Sequence, residues 1–79
     1  MISRRDVANI MSEWKKECGI THIILFRYDY YSHILTICTD RPGCLIGRMG
    51  STVGKYTDRF RSLDSRFDKV SFIETDGIA

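Results

Sequence analysis

The sequence predicts an α+β domain whose elements follow the order α-β-β-α-α-β. Two segments carry apolar residues at helical spacing, and three short runs are rich in β-branched and aromatic residues. The chain has 79 residues, of which 43% are apolar, and one domain usually takes about 50 to 250 residues. We therefore expect residues 1–79 to form a single domain around one core, which excludes a large two-domain enzyme.

The first predicted helix begins after Ser3. Ser3 is a favourable N-cap residue, and Asp6, three residues later, suits the positive end of a helix. Gly19 is placed to end the helix. Between them one apolar stripe recurs at helical spacing, which indicates core packing: Val7, Ile10, Met11, Trp14 and Cys18.

Two strands are predicted next, from Ile20 to Tyr28 and from Ile34 to Thr39. The connection between them is short, so an antiparallel hairpin is expected. Three aromatic residues cluster near its tip, where stacking on bases, contact with a partner and hairpin packing are all open interpretations: Tyr28, Tyr30 and Tyr31.

Arg41-Pro42-Gly43 ends the second strand, because proline cannot donate to a β-ladder. A short helix is then predicted across Cys44–Ile46, ending at Gly47. The next helix begins near Ser51, with its apolar stripe at Val53, Tyr56, Phe60 and Leu63.

Gly54 lies inside the pattern of that helix, where glycine costs up to roughly 1 kcal/mol relative to alanine. Such a glycine is tolerable if another molecule must approach closely. The last predicted strand runs from Val70 to Thr75.

The net charge of +2 is unevenly distributed. The segment from Arg41 to Arg61 contains five basic residues and one acidic residue, which gives it a net charge of +4, and the rest of the chain carries −2. A local basic patch attracts phosphate groups. The alternative interpretation of the same residues is a solvated helix face.

The longest unbroken apolar run, Ile23–Phe26, is far shorter than the roughly 20 residues that cross a bilayer. The first residues lead into an amphipathic stretch, so no secretory leader is expected. Three cysteines without a framework spacing favour reduced thiols. We therefore expect a cytoplasmic protein with no membrane partner.

The segment Ile46-Gly47-Arg48-Met49-Gly50 joins the two central helices. Its glycines lack Cβ atoms and let a phosphodiester lie against the main chain. The amides of residues 50–52 are expected to point outward unpaired at the positive end of the following helix. Arg48 is suited to neutralise a phosphate, and Arg41 and Lys55 to extend the same field.

The stretch from Arg41 to Tyr56 resembles the KH domains, in particular the type II arrangement of a small-subunit ribosomal protein and of some bacterial ribosome-assembly GTPases. The resemblance rests on the glycine-rich lead-in, the Ile-Gly-x-x-Gly loop and the apolar Val53 three residues after the second glycine. The order of elements is also the type II order. Family members often carry a basic residue at the second variable position, where this chain has Met49.

The resemblance implies three strands covered on one face by three helices, and binding of single-stranded RNA or DNA without catalysis or cofactor. The loop would clamp the backbone of roughly four nucleotides, and a ribonucleoprotein particle or a homodimer is an expected setting. It assigns the clamp to Gly47, Arg48, Met49 and Gly50, with Ile46 and Val53 lining a groove for the bases.

Rival functions are weaker. The segment Gly50–Lys55 lacks the spacing of a nucleotide-triphosphate loop. Cysteines and histidines are numerous enough for a zinc site but lack close pairs, and nothing indicates that Cys44 is a nucleophile: the candidate ligands are Cys18, His22, His33, Cys38 and Cys44. The main alternative is a protein-interaction module that keeps the KH fold without affinity for nucleic acid.

Overall fold

The computed structural model describes residues 2–21 and 24–75 and confirms the predicted α+β class. A 3-10 turn over Arg48–Gly50 joins the second helix to the third. The helices and strands, in chain order, are α1 (Arg4–Glu17), β1 (Leu25–Asp29), β2 (Ile34–Thr39), α2 (Pro42–Ile46), α3 (Ser51–Leu63) and β3 (Lys69–Glu74).

The three strands form one mixed sheet in the order β1-β2-β3. β1 and β2 pair antiparallel, with Leu25 opposite Cys38, so the predicted hairpin is confirmed. β2 and β3 pair parallel, with Ile34 opposite Lys69. Parallel neighbours need a long crossover connection, and here α2 and α3 make it.

Reciprocal hydrogen bonds fix the start of α1. The Asp6 amide donates to Ser3 Oγ at 3.1 Å, and the Ser3 amide donates to Asp6 Oδ2 at 3.0 Å. This capping box satisfies two amides that the first turn of a helix leaves unpaired. At the other end Cys18 is the C-cap, and Gly19 takes a φ of +70° that suits glycine.

The core lies between the helices and one face of the sheet. On β2, Leu35, Ile37 and Thr39 are buried, while the alternate residues are partly exposed on the opposite face. Trp14 is fully buried, with its ring stacked on Tyr56 at a centroid distance of 4.9 Å. The buried apolar residues are Ile2, Val7, Ile10, Met11, Trp14, Ile20, Ile24, Leu35, Ile37, Leu45, Tyr56, Phe60 and Phe67.

The first strand begins later than predicted. β1 starts at Leu25 rather than at Ile20, and residues 22 and 23 of the predicted strand lie outside the described residues. Ile20 and Ile24 are nevertheless buried in the core. The Ile20 amide donates to the Lys15 carbonyl at 2.9 Å, which ties this residue to the end of α1. The apolar character of Ile20 and Ile24 therefore reflects burial and not strand pairing.

The end of α1 holds α2 in place. The indole Nε1 of Trp14 donates to the Leu45 carbonyl at 3.0 Å, and the thiol of Cys18 donates to the Cys44 carbonyl at 3.1 Å. A helix leaves its last four carbonyls without intrahelical partners, and α2 has five residues. Side chains of α1 therefore satisfy two of the carbonyls that α2 leaves unpaired.

Among the helices of residues 2–21 and 24–75, none has the length and apolar content needed to cross a bilayer.

Replacing Trp14 with Phe is expected to lower the free energy of unfolding by at least about 1–3 kcal/mol, because the buried Leu45 carbonyl loses its donor. Urea denaturation measures the effect. Tyr31→Phe removes a polar atom from a side chain that is 98% exposed, and should change stability by less than about 0.5 kcal/mol. Equal midpoints for the two variants would show that the indole hydrogen bond contributes nothing.

Candidate functional site

The turn between α2 and α3, residues Gly47–Gly50, has a backbone that requires glycine at its first position. Gly47 has φ +77° and ψ 175°, a region that essentially only glycine occupies. A Cβ atom at Gly47 would also lie within 2.9 Å of the Thr52 backbone nitrogen. Conformation and close approach therefore both exclude a side chain here.

The last two positions of the Gly47–Gly50 turn are left-handed. Met49 has φ +55° and ψ 28°, and Gly50 has φ +78° and ψ 14°. A left-handed conformation costs a residue with a Cβ roughly 1–2 kcal/mol, yet the Met49 side chain is 99% exposed and no core packing holds it there. The fold thus presents an apolar side chain to solvent at the tip of the turn.

Two of the amides expected to be unpaired are used inside the turn. The Gly50 amide donates to the Gly47 carbonyl at 3.2 Å, and the Ser51 amide donates to the Arg48 carbonyl. The expectation of outward unpaired amides at residues 50–52 is therefore wrong for Gly50 and Ser51, because the tight turn closes on them. No side chain caps α3, so its positive dipole end remains uncovered by a capping group.

Arg48 and Arg41 are both exposed near this turn. Arg48 is the first residue after Gly47 and belongs to the turn itself. Arg41 is the N-cap of α2, and its amide donates to Thr39 Oγ1 at 3.1 Å. The five residues of α2 separate the two arginines by about 7.5 Å of helix rise. An exposed arginine therefore precedes α2 and another follows it in the chain.

Lys55 does not add its full positive charge to the site, because a glutamate of α1 forms an ion pair with it. Its Nζ lies 2.6 Å from Glu17 Oε1, and Tyr56 Oη donates to the same carboxylate at 2.9 Å. These two donors hold the pKa of Glu17 below its usual range. One turn further along α3, Arg59 forms an ion pair with Glu13.

The net charge of +4 counted along residues 41–61 is therefore partly neutralised in space. Arg61, the last basic residue of that segment, donates to the carbonyls of Phe67 and Asp68 and so holds the chain just before β3. The predicted local basic patch thus keeps Arg41 and Arg48 exposed, while Lys55 and Arg59 are paired with acids of α1. The signal was present in the sequence: Glu13 and Glu17 are four residues apart, as are Lys55 and Arg59, and this spacing places each pair on one helix face.

The apolar residues assigned to the site flank the Gly47–Gly50 turn. Ile46 ends α2 and is half-buried, and Val53, in the first turn of α3, is half-buried and packs against the core. Both α2 and α3 contact β3, which is an edge strand of the sheet. The ring of Phe72 on β3 meets Trp14 edge-on at 6.2 Å, so this residue of the edge strand packs against the core.

Three grooves lie along β1, away from the Gly47–Gly50 turn. These open grooves of about 480, 430 and 410 Å³ follow α1 and β1, and the residues that line them include none from the turn. The third covers the open face of the sheet, between Leu25, Cys38 and Ile73.

The tyrosine cluster is at the opposite end of β2 from the Gly47–Gly50 turn, because the hairpin tip precedes β2 and α2 follows it. The rings of Tyr28 and Tyr30 meet edge-on at 4.8 Å, and Tyr28 Oη lies 3.3 Å from His33 Nδ1. These two tyrosines therefore take part in hairpin packing, while Tyr31 is almost fully exposed.

The candidate zinc ligands do not form a metal site among the described residues. Within residues 2–21 and 24–75, no three His, Cys, Asp or Glu side chains stand close enough together to hold a metal ion. His22 lies outside the described residues.

No family model, curated protein or solved structure matches this chain. The functional interpretation therefore depends on the geometry of the turn and its surroundings.

Alanine at Gly47 is expected to lower the free energy of unfolding by at least about 1–3 kcal/mol, from the unfavourable backbone conformation together with the contact to Thr52. Gly54→Ala is expected to raise it by about 0.5–1 kcal/mol, because Gly54 lies within α3 with open space around a new Cβ. Urea denaturation of the two variants measures both. Opposite signs are the expected result, and a stable Gly47→Ala protein would contradict the assigned turn geometry.

Proposed function

We propose that this chain binds single-stranded nucleic acid, RNA in the first place and DNA by the same contacts, and that it is not an enzyme. The observation that carries the proposal is the Gly47–Gly50 turn, which has no side chain of its own at Gly47 and Gly50 and carries an exposed Arg48 between them. Both features favour a polyanion that approaches as a thin strand.

We further propose that the domain is a type II KH domain. The observed order of elements, α1-β1-β2-α2-α3-β3, is the order that the resemblance implies, and the buried residues of the sheet lie on the face toward the helices. Two helices joined by a tight glycine turn, with a neighbouring edge strand, support the same assignment.

The contacts divide into two groups by chemistry. A phosphodiester lies against Gly47 and Gly50, with Arg48 donating a forked pair of hydrogen bonds to phosphate oxygens and the α3 dipole favouring the negative charge. The bases turn toward the apolar side chains of Ile46 and Val53 and the edge of β3. Arg41 contacts a neighbouring phosphate.

The affinity of one such domain should be modest. Contacts of this kind give dissociation constants of about 10⁻⁴–10⁻⁶ M at physiological salt, and they weaken as salt rises. Tighter association requires a second domain, a homodimer or a ribonucleoprotein particle, since linked sites raise the effective concentration.

The double change Arg48→Asp and Met49→Asp is expected to abolish salt-sensitive binding of labelled single-stranded RNA pools, measured by fluorescence anisotropy. The carboxylates repel phosphate, and both side chains are exposed, so the fold should persist. Circular dichroism checks that the variant is folded.

A matched control carries the same change of net charge on the first turns of α1, as Arg5→Asp with Asn9→Asp, both at exposed positions. This control should bind RNA nearly as well as the unmodified chain. Equal losses in the two variants would indicate a nonspecific charge effect, and unchanged binding by the turn variant would place the site elsewhere.

Glu17→Gln is expected to strengthen RNA binding several-fold and to steepen its salt dependence, because it releases Lys55 from its ion pair beside the site. One added phosphate contact raises the slope of log affinity against log salt by about 0.7 for a single strand. Asp68→Asn removes the same charge at an exposed position before β3 and serves as the control. Equal gains for the two variants, or no gain for Glu17→Gln, would exclude Lys55 from the nucleic-acid path.

A protein-interaction module with the same fold is the second candidate. Two observations favour it: the fully exposed apolar side chain of Met49, and the neutralisation of Lys55 and Arg59 by acids of α1. The anisotropy experiment separates the two functions, because an interaction module binds no RNA at any salt concentration.

A further inference from the structure

Two cysteines from distant parts of the sequence meet where α1 ends against α2. Cys18, the half-buried C-cap of α1, directs its Sγ to within 3.1 Å of the Cys44 carbonyl oxygen. Cys44 is exposed, and its charge when ionised is among the causes that raise the pKa of the Cys18 thiol, after burial and Glu17. Cys38 is apart from them, on the open face of the sheet.

We propose that Cys18 and Cys44 form a dithiol site that closes into an intramolecular disulfide when it meets a small-molecule disulfide such as oxidised glutathione. A disulfide needs Cα atoms about 4.4–6.8 Å apart and Cβ atoms facing each other. The Cys18 sulfur already reaches the main chain of Cys44, so closure needs only rotation of the two side chains and a small displacement of α2.

The exposure of the two thiols sets the order of the reaction. The thiolate is the attacking species, and burial raises the pKa of the Cys18 thiol, with the nearby charge of Glu17 adding to the effect. Exposed Cys44 therefore reacts first: its thiolate attacks one sulfur of oxidised glutathione, forming a mixed disulfide and releasing one glutathione thiolate.

Cys18 then completes the exchange. Its thiolate attacks the Cys44 sulfur of the mixed disulfide, which forms the Cys18–Cys44 bond and releases the second glutathione thiolate. The two protons lost by the protein thiols go to the two glutathione thiolates. One oxidised glutathione is thus reduced to two glutathione molecules while two cysteines are oxidised.

Closure changes how α2 is held. The disulfide sulfur of Cys18 has no hydrogen, so its bond to the Cys44 carbonyl is lost and a covalent link replaces it. The link joins α1 to α2 three residues before Gly47 and closes a long loop of chain, which restrains the unfolded state. The oxidised protein should therefore unfold at a temperature several degrees higher than the reduced protein.

Incubation of the folded chain with oxidised glutathione, followed by blocking of free thiols, tests the proposal. Cleavage before aspartate separates Cys38 from Cys44 at Asp40, so mass spectrometry identifies the linked pair without ambiguity. The expected product is a monomer with Cys18 joined to Cys44 and a raised midpoint of thermal unfolding. Cys38→Ser should form the same link, and Cys44→Ser should form none.

Four results would overturn the proposal. The first three are free Cys18 and Cys44 after incubation, glutathione retained on Cys44 with no closure, and links that join two chains. A Cys18–Cys38 link would overturn it as well, because it would show that local unfolding and not the observed contact sets the pairing.

The expected effect of the disulfide on nucleic-acid binding rests on the proposed function. Because Gly47 approaches Thr52 too closely to shift, a displaced α2 should distort the Gly47–Gly50 turn, and oxidation should weaken RNA binding several-fold until a reductant restores it. Equal binding in both states would show that the disulfide does not regulate the turn. Absence of binding in both states would contradict the proposed function and leave the disulfide itself standing.

Discussion

The close approach of Gly47 to Thr52 is the constraint on which the arrangement around the turn depends. With no Cβ between them, α2 and α3 can meet through three residues of 3-10 turn, and the main chain of the turn reaches the surface. A bulkier residue would separate the two helices. The absence of a Cβ atom at Gly47 therefore allows both the close packing of α2 against α3 and the turn that forms the candidate site.

α1 contributes to this region although it is far from it in the sequence. Trp14 and Cys18 satisfy carbonyls of α2, and Glu13 and Glu17 engage Arg59 and Lys55 of α3. The bond from Trp14 is buried, and a buried polar bond between distant segments defines a unique arrangement more sharply than apolar contacts do, because an unpaired carbonyl is costly. The position of the turn thus depends on a helix that contributes none of its residues.

Much of the fold could be predicted from local patterns. The cap at Ser3, the apolar stripe through Trp14 and the limits of β2 and α3 each depend on residues close in the sequence, and all appear at the predicted positions. The start of β1 was wrong because burial, which also selects apolar β-branched residues, produced the same pattern at Ile20 without a strand.

The candidate site was predicted less completely than the fold. The glycine turn follows from its own sequence, whereas the charge around it depends on which helix faces it, and composition along the chain does not contain that information. The ion pair at Lys55 and the internal use of the Gly50 amide are both consequences of three-dimensional placement.

The parallel pairing of β2 and β3 has a consequence for cooperativity. The turn lies within the crossover that carries the chain from one of these strands to the other, so the shape of the crossover and the docking of β3 are coupled. A molecule that binds the ordered crossover but not the unfolded chain stabilises the whole domain by mass action. Binding of a molecule at the turn and docking of β3 into the sheet are therefore thermodynamically linked.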